Sequence, residues 1–247
     1  MASKKTKDEP KKRGRTLLGG AKMQINFHPD LKRPGHTNKV CTEAMVVFGR
    51  LNPPSVGHER LINEMVDMCD DNTIPLLFLA KSINESNPLT YAQRYMLCEK
   101  AFGDKVCVVA EETVNNYLNL FKYVAEHFKK ATFLVGSDRF ADVSRMLRDY
   151  NDKEFVFESY SIRVLDRDPD SDDLLKSISA SQMRDMALNE SYDDFVEALP
   201  TKLREDAQII FDTLQHEISM QQSLSKQSGN LRKVAVAAII NRETKRG

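Results

Sequence analysis

Serine, glycine and histidine occur together in the short stretch Ser55-Val56-Gly57-His58, which has the residue types of a phosphate-binding loop. An imidazole N–H and a hydroxyl are hydrogen-bond donors, and a glycine lets a ligand approach the backbone closely. Gly49 and Arg50 come a few residues earlier, and the arginine adds a positive charge that suits phosphate oxygens. The stretch predicts binding of a phosphate-bearing ligand.

A second stretch, residues 178–184, places hydroxyl groups and an arginine ahead of a helical pattern. We expect Ser181 to cap that helix and Arg184, within its first turn, to fork onto a phosphate. Ser179 offers another hydroxyl. The two stretches are about 120 residues apart in the chain, and they complement each other as parts of one phosphate site.

The first stretch lies between a predicted strand and a predicted helix. Residues 44–48 form a continuous apolar run with β-branched members, which is typical of a strand buried on both faces. Apolar residues then recur at helical spacing and predict a helix over residues 58–70, so His58 is expected near its start. The unpaired N–H groups of a helix N-terminus carry partial positive charge, which favours phosphate.

Short apolar runs alternate with amphipathic patterns from residue 43 onward, which predicts parallel βαβ units. We therefore expect an α/β fold, a doubly wound parallel sheet of about five strands with helices on both faces, plus a C-terminal helical segment. The predicted strands are 44–48, 75–80, 106–110, 132–135 and 155–157, with 162–165 extending or following the last. The later helices are 91–102, 115–128, one that runs from the second stretch to about 188, and 202–220, with an apolar turn at 195–199.

Two other strand ends carry residues that suit a nucleotide, because ligands of open parallel sheets gather at the carboxyl ends of strands. Lys81 follows the second strand and is either a phosphate contact or a solvated loop residue. Gly136, Ser137 and Asp138 follow the fourth strand, just before a helix. Ser137 or Asp138 could equally act as the N-cap of that helix.

The two stretches together resemble the paired (H/T)xGH and ISxTxxR motifs of the nucleotidylyltransferase superfamily. Residues 49–53 are similar to the GRFQP opening of nicotinamide-nucleotide adenylyltransferases, and residues 136–138 to the G(S/A)D segment of the family. Residues 88–94 resemble the segment that opens the next helix in family members, in which Arg94 either faces the site or packs structurally. The overall layout also resembles the cytidylyltransferase-like proteins of tailed bacteriophages.

The resemblance implies a Rossmann-like fold and transfer of an adenylyl or cytidylyl group from a nucleoside triphosphate to a small phosphorylated acceptor, with release of pyrophosphate. In this scheme His58 stabilises the transition state of an in-line attack, and Ser55 offers a hydroxyl where the family has His or Thr. Arg184, Ser179 and Ser181 hold the β- and γ-phosphates. The remaining expected contacts are Gly49, Arg50, Gly57, Lys81, Gly136, Ser137 and Asp138. Mg²⁺ is expected to arrive with the triphosphate, since the motifs contain no metal cage.

Charge is unevenly distributed in this chain of 247 residues, whose formal net charge is zero. Residues 1–22 contain eight Lys or Arg against two acidic residues, so the remainder is mildly acidic and unsuited to a broad nucleic-acid groove. The four cysteines contain no CxxC pair, which favours buried thiols in a reducing compartment. No apolar run has the length of a membrane span, so we expect a cytoplasmic protein, in a host cytoplasm or a virion if it belongs to a phage.

The predicted organisation has four parts. Residues 1–40 form a basic flexible arm, 41–200 the nucleotidylyltransferase Rossmann-like domain, 201–221 a C-terminal helix, and 222–247 a linker with an apolar and basic tail. The arm is either solvated or docks on other protein chains or nucleic acid, and the tail could also dock. Two other functions stay open: a phage virion-associated or assembly protein that keeps the fold, and a nucleic-acid-binding module.

Overall fold

Five parallel strands form the centre of the molecule in the computed structural model, which describes residues 34–35, 40–84, 86–109, 111–164 and 178–243, with side chains up to residue 227. The strand order is β3-β2-β1-β4-β5. The strands are β1 (Glu43–Gly49), β2 (Thr73–Leu79), β3 (Cys107–Val109), β4 (Lys130–Val135) and β5 (Ser159–Val164). The helices are α1 (Val56–Asp67), α2 (Tyr91–Phe102), α3 (Tyr117–His127), α4 (Ser137–Tyr150), α5 (Ala180–Leu188), α6 (Tyr192–Ala198) and α7 (Ala207–Glu243), with a 3-10 helix (Thr201–Asp206) before α7.

Helices cover both faces of this sheet, and β2 contributes to both cores. All seven residues of β2 are buried. Alternate side chains point to opposite faces of a strand, and Leu77 and Leu79 join the core under α1, α2 and the C-terminal helices. Leu76 and Phe78 join the other core, under α3 and α4. The predicted doubly wound parallel α/β fold is therefore confirmed.

The chain reverses its direction of travel across the sheet at β1. It proceeds from β1 to β2 and β3 on one side, and then crosses to β4 and β5 on the other. Val47 of β1 lies opposite Leu134 of β4, so both strands end together, at Gly49 and just before Gly136. Parallel α/β sheets bind ligands in the crevice at such a switch point, which makes this edge the expected position of a site.

The fifth strand differs from the prediction. The structure pairs Ser159–Val164 with β4, whereas residues 155–157 lie before the strand. Phe155 and Phe157 are buried, and their rings pack against those of Phe121 and Phe133 with centroids 5.4 and 5.7 Å apart. The alternating aromatic residues Phe155 and Phe157 are therefore buried in the core beneath α3 and α4, and they are not part of a sheet strand.

The C-terminal region is more helical than predicted, although the expected helical segment is present. Residues 195–199, predicted as an apolar turn, lie mostly in α6. The backbone of residues 222–230 is part of α7, so the predicted Ser/Gln/Gly linker is wrong there. Ser, Gln and Lys are acceptable helix residues, and the single Gly229 lowers helix stability by only about 1 kcal/mol.

The start of the C-terminal segment packs into the main core. Leu203 of the 3-10 helix and Leu214 and Ile218 of α7 belong to the same buried cluster as Leu97 of α2 and Met183 of α5. Most of the predicted basic arm, residues 1–33 and 36–39, lies outside the described residues, as do residues 165–177 and 244–247. Among the described residues, no helix combines the length and the apolar character needed to cross a membrane.

Candidate functional site

The loop that connects β1 to α1 is held by a buried asparagine. Leu51 has a left-handed backbone with φ of 41°, and the Asn52–Pro53 peptide bond is cis. The buried amide of Asn52 donates to the carbonyl of Leu89 at 3.1 Å and accepts from the Leu89 N–H at 3.0 Å. The NH2 group and the oxygen of the Asn52 amide thus both bond to the backbone of Leu89. These two hydrogen bonds hold the loop against the segment before α2.

Arg94 connects the loops that follow β1 and β2. Its side chain is completely buried. One terminal nitrogen donates to the carbonyls of Arg50 at 2.9 Å and Ala80 at 2.6 Å. Burial lowers the pKa of this guanidinium. Of the two roles open for Arg94, the structure supports the structural one, because its terminal nitrogens donate to main-chain carbonyls.

Ser55 and His58 form one hydrogen-bonded unit at the start of α1. Ser55 is the N-cap residue and His58 the third residue of the helix, close to its predicted place. The Ser55 backbone N–H donates to Nδ1 of His58 at 3.0 Å, so this arrangement puts the proton of a neutral imidazole on Nε2. Gly57 is the second residue of α1, where backbone N–H groups lack acceptors within the helix.

The hydroxyl of Ser55 faces inward, toward the second stretch. The residue is completely buried, and its Oγ donates to the carbonyl of Ile178 at 2.7 Å. The same Oγ lies 2.8 Å from Nδ1 of His58. The two stretches that the sequence predicts to cooperate are therefore in direct contact.

The helix α5 is capped by Ser179, which corrects the prediction that Ser181 caps it. The Ser179 hydroxyl accepts from the N–H of Gln182, whose side chain in turn accepts from the N–H of Ser179. Ser181 is instead the second residue of the helix, and its hydroxyl accepts from Arg184 at 3.0 Å. Ser179 has the correct spacing for a capping box with Gln182, whereas Ser181 has Arg184 at that distance.

Arg184 lies just past the first turn of α5 and not within it, since it is the fifth helical residue. Its guanidinium donates to the carbonyl of Asn52 at 2.7 Å. Burial, and then the positive charge of Arg50, lower the pKa of Arg184. The positive charges of Arg184 and Arg50 therefore repel each other, and a nearby anion would reduce that repulsion.

Lys81 is positioned differently from the two arginines. It is exposed at the end of β2, and its ammonium group pairs with the carboxylate of Glu112 at 3.0 Å. An ion pair between exposed side chains is weak, so the lysine remains able to exchange partners. Lys81 is a predicted phosphate contact, and a phosphate would have to compete with the Glu112 carboxylate for its ammonium group.

Gly136 begins α4 at the end of β4, beside the end of β1. It is the N-cap residue, so neither Ser137 nor Asp138 caps the helix, contrary to that alternative. A Cβ added to Gly136 would lie 2.7 Å from Oδ1 of Asp138. Residues 136–138 are exposed, and they leave backbone N–H groups of a third helix N-terminus at this edge of the sheet.

Tyr117 forms an aromatic boundary next to this glycine. Its ring packs edge-on against Phe48 at the end of β1, with centroids 5.2 Å apart. Burial raises the pKa of Tyr117, while the nearby charge of Arg139 lowers it and that of Asp138 raises it. The ring therefore packs against the end of β1, and its hydroxyl is within electrostatic range of the first turn of α4.

Two groups that build the site were not predicted from the sequence. The amide of Asn52 and the carbonyl of Ile178 determine how the two stretches meet. A cue for the first was available, because an Asn before two prolines suggests an ordered turn. Main-chain carbonyls have no sequence signature, so nothing in the pattern indicated the second.

The part of the chain that the structure describes contains no group of three or more His, Cys, Asp or Glu side chains arranged to hold a metal ion. The donors around the two stretches are cationic or neutral, which suits phosphate oxygens and not a resident cation. Compared with known proteins, the chain matches no protein-family model and no curated protein sequence.

Proposed function

We propose that this chain is a nucleotidylyltransferase. It would transfer an adenylyl or cytidylyl group from a nucleoside triphosphate to a small phosphorylated acceptor and release pyrophosphate. One observation carries the proposal: the N-termini of α1 and α5 meet at the switch point of the sheet, joined by the Ser55 to Ile178 hydrogen bond. Two helix N-termini beside two arginines favour a ligand with several negative charges.

The reaction needs no protein nucleophile, because an oxygen of the acceptor attacks the α-phosphorus directly. Catalysis then consists of positioning the reactants and stabilising the charge that develops on the phosphates. His58 would donate through Nε2, the nitrogen that carries the proton when Nδ1 accepts from Ser55. Arg184, with Arg50 beside it, would stabilise the departing pyrophosphate.

The end of β4 would hold the nucleoside. Gly136 begins α4 without a side chain, and the Tyr117 ring borders the same region. We assign Ser137 and Asp138 to contacts with the base or ribose, as the family resemblance implies. Mg²⁺ would enter bound to the triphosphate, with phosphate oxygens as its ligands, and would neutralise part of the charge.

Pyrophosphate release tests the proposal. The purified chain is incubated with Mg²⁺ and each of the four nucleoside triphosphates, with and without a panel of phosphorylated acceptors. We expect acceptor-dependent release from one triphosphate. Removal of a donor that stabilises developing charge typically lowers turnover about 100-fold or more, so His58→Ala and Arg184→Ala should both show such losses.

Two matched variants test whether loss of any histidine or arginine lowers turnover, wherever it lies in the molecule. His127→Ala removes a histidine at the C-terminus of α3, and Arg148→Ala removes an exposed arginine near the end of α4. Both should retain full turnover. Equal losses in the site and control variants would contradict the proposed site. No release from any combination, with a folded chain, would favour the assembly protein that keeps this fold.

A further inference from the structure

Ser55 stands at the position where the nucleotidylyltransferase superfamily has His or Thr. The surroundings of the Ser55 side chain do not fit a direct contact with phosphate. The side chain is completely buried. Its hydroxyl has one proton, and a carbonyl can only accept a hydrogen bond. The proton is therefore donated to the carbonyl of Ile178, with Oγ 2.7 Å from the carbonyl oxygen. A phosphate would have to displace this hydrogen bond and reach beneath the surface of the loop.

Two atoms of the same residue lie close to Nδ1 of the His58 ring. The Ser55 N–H donates to Nδ1, and the Ser55 Oγ lies 2.8 Å from the same nitrogen. A histidine whose Nδ1 accepts a hydrogen bond carries its neutral-state proton on Nε2. The Ser55 backbone N–H thereby favours the Nε2–H tautomer, and the Ser55 side chain contacts the ring at Nδ1.

The Ser55 hydroxyl also joins elements that are remote in sequence. Ile178, 123 positions away, directly precedes Ser179, the N-cap of α5. The other described hydrogen bond between the β1–α1 loop and α5 runs from Arg184 to Asn52. An arginine that also binds phosphate must share its donors with the ligand, whereas the Ser55 bond is buried away from it.

We propose that Ser55 is a positioning residue, which holds the His58 imidazole and the N-terminus of α5 in the geometry that grips a polyphosphate, without contacting the phosphates itself. The consequence for turnover rests on the proposed function. The consequence for conformation does not, because it concerns hydrogen bonds of the free protein.

The first experiment compares the free protein with its Ser55→Ala variant by amide hydrogen exchange and by ¹⁵N NMR of the histidine rings. Loss of one buried hydrogen bond should speed exchange at the α5 amides by about tenfold. The His58 ring should keep its Nε2–H tautomer, because alanine retains the backbone N–H, but its ring signals should shift because the contact of Nδ1 with Oγ is lost. Exchange in α3, on the other face of the sheet, should not change.

Ser144→Ala is the matched control, because the Ser144 hydroxyl is buried and has no hydrogen-bond partner among the described residues. Removing it should leave the α5 amides and the His58 ring signals unchanged. Ser55→Thr keeps the hydroxyl that Ser55→Ala removes, so it should restore the wild-type exchange rates and ring signals. If Ser55→Ala does not fold, Ser55→Cys provides the same comparison with a weak thiol donor.

The second experiment measures pyrophosphate release by the same variants. A positioning role predicts that Ser55→Ala lowers kcat by about tenfold or more with a smaller change in KM for the triphosphate, and that Ser55→Thr restores kcat. Unchanged α5 exchange and ring signals together with a raised KM would identify Ser55 as a direct phosphate ligand and overturn the proposal. If no nucleotide is turned over, the proposed function fails while the first experiment still decides the role of Ser55.

Discussion

The guanidinium of Arg184 donates a hydrogen bond to the main-chain carbonyl of Asn52 across 2.7 Å, and so joins residues 132 positions apart. A second nitrogen of the same group donates to the hydroxyl of Ser181 at 3.0 Å. The planar fork of an arginine makes both contacts at once, which a lysine ammonium on a flexible stem cannot reproduce. Arg184 therefore links α5 to the β1–α1 loop.

Replacing Arg184 by lysine should weaken polyphosphate binding although the charge is kept. We expect the Arg184→Lys variant to bind a nucleoside triphosphate about tenfold more weakly, because the bidentate donor geometry is lost. Titration calorimetry provides the measurement. The control is Arg204→Lys, since Arg204 also makes two hydrogen bonds, to the carbonyls of Leu199 and Glu197, but in the segment that follows α5. Equal weakening in the two variants would argue against a ligand role for Arg184.

Replacing Arg94 by methionine should destabilise the fold. The carbonyls of Arg50 and Ala80 would lose their donor in a buried environment, and we expect the free energy of unfolding to fall by about 2 kcal/mol or more. Removing the buried charge offsets part of this loss. Urea denaturation measures the change. Arg148→Met, at an exposed position, should change stability by less than about 0.5 kcal/mol, and a similar small change for Arg94→Met would contradict its anchoring role.

Two glycine substitutions should separate folding from ligand binding. A Cβ at Gly49 would lie 2.7 Å from Cδ1 of Leu51, which is buried, so Gly49→Ala should lower the free energy of unfolding by about 1 to 3 kcal/mol. A Cβ at Gly136 meets only the exposed carboxylate of Asp138, which can move. Gly136→Ala should therefore fold with a loss below about 1 kcal/mol.

Nucleotide affinity gives the second readout for Gly136→Ala. The added methyl group lies at the expected nucleoside position, so binding should weaken even though the fold is retained. Thermal unfolding measures the change in stability and nucleotide titration measures the change in affinity, both on the same preparation of the variant. Unchanged affinity would place the nucleoside away from the start of α4.

The buried thiol of Cys98 should make stability fall in alkaline solution. Burial raises its pKa above the ordinary value of 9.0, so the folded chain retains a proton that the unfolded chain releases. The free energy of unfolding is therefore insensitive to this thiol below about pH 8 and decreases as pH rises above about 9. Urea denaturation at about pH 7.5 and about pH 10.5 measures the difference.

Cys98→Ala should reduce that difference, because it removes the group that titrates only in the unfolded chain. The Cys107 thiol, whose pKa burial raises to about 12, contributes its own dependence to both proteins and serves as an internal reference. An identical pH dependence in the variant and the parent would contradict the assignment to Cys98.

Local patterns in the sequence were sufficient to predict the sheet and where the site should lie. Apolar runs such as residues 44–48 and the helical spacing after His58 depend only on neighbouring residues, so β1 and α1 were predicted nearly as they occur. The alternation of such units along the chain predicts a doubly wound parallel fold. The same local signals failed at residues 155–157, because an apolar alternation indicates burial without specifying a strand partner.

The class of fold and the two stretches rich in phosphate-binding residue types follow from the sequence alone. How the two stretches meet depends on the folded chain, in which Ser179 caps α5, Arg94 donates to backbone carbonyls and Ser55 donates to Ile178. These outcomes depend on hydrogen bonds to main-chain atoms that are distant in the chain. Every residue has such a carbonyl, so the sequence carries no mark of which one a buried donor will find.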